Sequence, residues 1–131
     1  MALFEWDDEY SVGSNLMDGH HQKLFDIINQ MHEQMKNGAA DESIKKSIDE
    51  LIDYTVFHFT EEEKQMEKEN YSGMAAQKRA HKAFTDKMKE YQKEAEGGMA
   101  MFVVSEVSKT ACDWLKEHIL VMDKQYEGQI Q

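Results

Sequence analysis

Apolar residues recur every three or four positions through most of this chain, and short polar breaks that carry glycine interrupt them. Leu24, Phe25, Ile28, Met31, His32 and Met35 mark a first helix that ends at Gly38, with Asp18 placed as its N-cap and His21 on its apolar face. Asp41 is placed to cap a second helix whose inner stripe reads Ile44, Ile48, Leu51, Tyr54 or Thr55, His58, Glu62 and Met66. An ordinary amphipathic helix does not put histidine and glutamate on that stripe. After the break from Asn70 to Gly73, the series Met74, Gln77, His81, Phe84, Met88, Tyr91 and Ala95 predicts a third helix with Gln77 and His81 inward. Beyond Gly97-Gly98, Val104, Val107, Ala111, Trp114, Leu115, His118, Ile119 and Met122 mark a fourth. Phe4, Trp6, Tyr10, Val12 and Met17 lack helical spacing and read as an ordered arm, with turns at Gly13 and Asn15.

Four amphipathic helices with short connections pack most simply as an antiparallel up-down-up-down bundle, so the expected fold is all-α. The expectation is a single domain over residues 1–131, made of an arm (1–17), the bundle (18–122) and a tail (123–131). The topology also sets heights. His21 is near the start of its helix, His58 late in the second, His81 early in the third and His118 late in the fourth, so an antiparallel bundle brings all four to one level. The absence of proline, where average usage of about 5% would give roughly six, favours long uninterrupted helices.

A formal charge of −11 argues against nucleic acid or an anionic membrane as partner. The start of the chain has no basic, apolar leader, and the longest clear apolar run, Met99 to Val104, is far too short to span a bilayer. The one cysteine, Cys112, fits a reducing compartment and reads as a packing residue. A cytoplasmic monomer is expected.

Any one of these histidines alone is more commonly a core or surface residue than a ligand. Four imidazoles and the carboxylates of Glu62 and Asp123 at one level are costly to bury unless something satisfies them, and a metal does. Nitrogen and oxygen donors without thiolate suit iron, manganese or zinc. Six donors exceed one tetrahedral zinc, so a pair of iron ions bridged by Glu62 and Asp123 is the expected cofactor.

These residues are arranged as Asp18-x-x-His21-x-x-Leu24-Phe25-x-x-Ile28-Asn29, His58-Phe59-x-x-Glu62, His81-x-x-Phe84 and Trp114-Leu115-x-x-His118-Ile119-x-x-x-Asp123. In that pattern the chain resembles the hemerythrins, in particular the single-domain bacterial ones, over essentially its whole length. The resemblance implies two irons joined by Glu62, Asp123 and a solvent-derived oxo or hydroxo bridge. It implies that His21 and His58 hold one iron, which keeps an open position for dioxygen, and that the other takes His118 and two histidines of the third helix. Here the chain departs from the pattern, because Gln77 stands where the first of those two histidines belongs. Gln77 could ligate through its amide oxygen, hold a water, or fill a polar gap and donate to Glu62 or Asp123.

Leu24, Phe25, Phe59, Trp114, Leu115 and Ile119 lie within a turn of His21, His58 or His118 and could wall the open position with apolar surface, or be ordinary core. A dry wall without a charged proton donor favours reversible binding over further reduction of oxygen. The expected function is therefore non-enzymatic binding of dioxygen, for storage or delivery to oxygen-using enzymes. The alternatives are an enzyme acting on peroxide or nitric oxide, or oxidising iron, and an iron or redox sensor. A ferritin-like oxidase needs Glu-x-x-His motifs and a metalloprotease His-Glu-x-x-His, and the chain contains neither. His20, about 100° around the helix from His21, is expected at the rim or in solvent, and His32 about 16 Å along the axis. Glu61 and Glu63 are expected to be solvated charges pointing away from Glu62.

Overall fold

Ser14, not Asp18, starts the first helix: its hydroxyl accepts the Met17 N–H at 3.1 Å, and α1 runs Asn15–Lys36. Both residue types make good caps, and a one-turn shift between them is invisible in the periodicity. Asp18 instead turns back to the arm, where its carboxylate accepts the Ser11 hydroxyl at 2.6 Å and the Val12 N–H at 2.9 Å. The arm is ordered as expected. Phe4 stacks on Phe25 with ring centroids 3.6 Å apart, and the Asn29 amide exchanges two hydrogen bonds with the Phe4 backbone. These contacts belong to a computed structural model that describes residues 3–130; residues 1–2 of the arm and residue 131 of the tail lie outside it.

Helix α2 spans Asp41–Lys68, α3 Met74–Glu94 and α4 Ala100–Val121. Asp41 does not cap its own helix. Ala40 occupies the N-cap, and the Asp41 carboxylate accepts the Met101 N–H at 2.8 Å, capping the first turn of α4 across the bundle. The α3 to α4 connection is one wide helical turn, Ala95–Met99, reversed at Gly98, whose φ of 84° is costly for a residue with a Cβ. Helix α1 packs on α2 and α4, and α3 packs on α2 and α4. Leu24, Ile28, Ile48, Leu51, Met88 and Val104 are fully buried at their centre.

Beyond α4 the chain makes a short 3-10 turn, Asp123–Tyr126, in which both named residues are buried, and Ile130 is buried after it. The expected tail is therefore packed against the end of the bundle. Among the described residues no helix is long and apolar enough to cross a membrane.

Candidate metal centre

His21 enters from the second turn of α1, His58 and Glu62 from late in α2, Gln77 and His81 from the first two turns of α3, and His118 from the last turn of α4. Asp123 comes from the turn that follows. All seven are buried, and the structure brings all seven together. The start of α1 thus meets the end of α2, the start of α3 and the end of α4, which is the antiparallel arrangement read from the ligand heights.

The two carboxylates organise the cluster into halves. Glu62 Oε2 lies 3.7 Å from His21 Nε2 and 3.6 Å from His58 Nε2, while its Oε1 lies 3.0 Å from His81 Nε2. Asp123 Oδ2 lies 3.3 Å from His21 Nε2, and its Oδ1 3.2 Å from His118 Nε2. Each carboxylate therefore presents one oxygen to His21 and the other to the His81/His118 half. Donor atoms of His21, His58 and Glu62 fall within 4.8 Å of one another, as do those of Glu62, His81 and His118.

A cation fits this donor set. Among the described residues, the buried side-chain polar atoms without a hydrogen-bond partner are His21 Nδ1 and Nε2, Glu62 Oε1, Gln77 Oε1, His81 Nε2, His118 Nε2, Asp123 Oδ2 and the distant Ser108 Oγ. All but the last belong to the cluster. Buried polar groups are otherwise almost always paired, so a concentration of unpaired nitrogen and oxygen lone pairs in one spot marks a place for an ion. His81 Nε2 and Glu62 Oε1 illustrate this: they face each other at contact distance, yet neither has a hydrogen bond.

Electrostatics agree with that reading. Burial opposes charge on His21, but the nearby carboxylates of Asp123 and Glu62 outweigh it and push the imidazole up to about 9. His81 is likewise raised against its burial by Glu62 and Glu63. At His58 burial wins over the attraction of Glu62, and the ring is held down to about 3. Burial works against ionisation of Glu62 and Asp123, yet the surrounding imidazoles keep both below the usual carboxylate range. A pair of buried, ionised carboxylates asks for positive charge beside it.

Outside the donors, three further residues reach the cluster. Glu63 does not point away: its Oε2 accepts the His81 Nδ1–H at 2.8 Å, reaching from α2 across to α3. His20 does not face solvent. It is buried between α1 and α2, with its Nδ1 2.9 Å from His58 Nδ1 and its ring edge-on to Tyr54. Tyr126 donates its hydroxyl to Glu62 Oε2 at 2.6 Å, and burial beside Glu62 and Asp123 raises its pKa, which keeps the phenol neutral. In each case the partner sits on another element, so only the packing of one helix on the next could have revealed it. His32 lines a cleft with Leu3 and Met35, apart from the cluster.

Gln77 enters the cluster with its two amide atoms differently placed. Its amide NH2 donates to Asp123 Oδ1 at 2.8 Å, and its Oε1 has no partner. The apolar residues divide. Phe59 stacks on His81 with centroids 3.9 Å apart and also lies 5.7 Å from the His58 ring, while Trp114 stacks on His118 at 4.3 Å, so Phe59 borders both halves and Trp114 covers the His118 side. Phe25 stacks under the arm on Phe4, and Leu24, Leu115 and Ile119 are buried in the core.

Comparison with known proteins supplies independent information. The hemerythrin HHE cation binding domain matches residues 12–130. A bacteriohemerythrin of Methylococcus capsulatus is 35% identical over 127 residues, covering 96% of this chain and 95% of its own. A myohemerythrin of Riftia pachyptila is 30% identical, with 97% and 93% covered. A crystal structure of wild-type hemerythrin superposes with a TM-score of 0.91 at 33% identity, covering 98% of each chain.

Proposed function

The chain belongs to the hemerythrin family, and on that footing we propose that it is a non-haem di-iron protein that binds dioxygen reversibly. In this reading His21 and His58 hold one iron and His81 and His118 the other. Glu62 and Asp123 span the two, beside an oxo or hydroxo bridge. The observation that carries the reading is the disposition of the carboxylates, each with one oxygen toward His21 and the other toward the His81/His118 half. When bound, an iron pair of this kind supplies two electrons to dioxygen and recovers them on release.

The chain's own residues prepare the ground for that exchange. Glu63 accepts the Nδ1–H of His81, which fixes the tautomer that leaves Nε2 free to donate its lone pair. His58 needs the same tautomer, so its Nδ1–H donates to His20 Nδ1. Tyr126 holds Glu62 in place as a neutral donor and, with its raised pKa, is a poor source of protons. Phe59, Trp114 and the surrounding core exclude water from the buried donors. A dry site without a ready proton favours carriage over turnover, and we assign no enzymatic activity.

The test is elemental analysis of the purified protein, followed by anaerobic reduction and re-exposure to oxygen with visible absorption recorded. Two irons per chain and an oxygen-dependent band that disappears under vacuum are expected. Zinc in place of iron, or no oxygen-dependent band, would overturn the proposal. Steady consumption of peroxide without a stable oxygenated form would move the assignment to an enzyme.

A further inference from the structure

We propose that Gln77 leaves the His81/His118 half of the centre with an exchangeable position of its own, open to a small anion or a diatomic molecule. The proposal rests on the iron-pair reading above. Gln77 stands one helical turn before His81 on α3, so its side chain enters the cluster from the same face, and it is 1% exposed. Its amide nitrogen has no lone pair to give a metal and is committed to Asp123 Oδ1, the oxygen that faces His118 Nε2. What remains is Oε1, buried, unpartnered and uncharged.

Counting donors then makes the two halves alike. His81 and His118 supply two imidazoles, as His21 and His58 do in the other half, and the carboxylates are shared. Two imidazoles and carboxylate oxygen are the donor set that leaves non-haem iron with open positions. Gln77 also weakens what is present, because the hydrogen bond it donates to Asp123 Oδ1 draws charge away from the oxygen on this side.

There is a way in. Between α3 and α4 lies a cleft of about 220 Å³ lined by Ala80, Trp114, Glu117, His118, Val121 and Met122. Apart from Glu117 and His118 its walls are apolar, and it reaches the His118 ring, whose Nε2 is buried beneath it. A cleft of that lining favours a small, weakly hydrated ligand over bulky or strongly hydrated ones. Azide is a suitable probe, being a small anion with a visible absorption band when bound to ferric iron.

The experiment compares the full-length chain with Q77H and Q77A, each loaded with iron, checked by elemental analysis, oxidised, and titrated with azide by calorimetry and visible absorption. Two azides per chain are expected in the unaltered protein and in Q77A, and one in Q77H, where an imidazole fills the position. One azide in all three forms overturns the proposal. So does one azide in the unaltered protein rising to two in Q77A, since Gln77 Oε1 would then be a ligand. A single iron in the unaltered protein and two in Q77H also overturns it while leaving the family's iron pair intact. Fewer than two irons in all three forms removes the reading on which the proposal stands.

Discussion

Glu63 carries a role out of proportion to its surroundings, because a half-exposed carboxylate sets the tautomer of a buried imidazole. Removing an outer partner of this kind typically costs ten- to a hundredfold in metal affinity. Glu63→Ala is therefore expected to lose iron from the His81 half about 10–100 times more readily to a chelator, with helix content unchanged by circular dichroism. Retention equal to that of the unaltered protein would show that His81 needs no orienting partner. Periodicity put His21, His58, Glu62, His81 and His118 on inward faces, where they are buried, because an inward position on a helix is a local property, whereas Asp123, in the turn beyond α4, was legible only from the motif. Periodicity could not place Glu63 or His20. Both lie one residue from an inward donor, and whether a flanking side chain meets water or a neighbouring helix depends on how the helices are rotated against each other.

At the scale of elements, the stripes gave the four helices and their order, but the caps were misassigned. Asp18 and Asp41 look like N-caps of α1 and α2. They serve instead as long-range acceptors, Asp18 for the arm and Asp41 for the first turn of α4. A cap made by a residue sixty positions away leaves no trace in local sequence. Asp41→Ala should therefore destabilise the bundle by about 1 kcal/mol, the usual cost of a lost cap. Hydrogen exchange distinguishes the two assignments: faster exchange at Met101 marks a cap on α4, whereas faster exchange confined to the start of α2 would contradict the cross-bundle contact.

For the molecule as a whole, the buried cluster makes the metal-free bundle sensitive to pH. His21 is raised from the ordinary 6.5 to about 9 when folded, so the stability it contributes is full below pH 6.5 and is lost as pH climbs through 9. His58, held to about 3 when folded, is neutral in both states above 6.5 and penalises folding only at lower pH. Glu62 and Asp123, both lowered, add stability that fades in acid. The melting temperature of metal-free protein is expected to peak near pH 6.5 and fall toward pH 9. The loaded form should be flatter across that interval, since a bound cation replaces the proton. A metal-free profile that stays level from 6.5 to 9 would show that His21 is not charged in the folded protein.

The turn that follows α4 has a bearing on timing. Asp123 and Tyr126, which respectively complete the carboxylate pair and brace Glu62, are translated after all four helices. A bundle still awaiting that turn has its imidazoles and one acid, but not the second acid that balances them. The full donor set therefore exists only once the last short segment has packed against the end of the bundle.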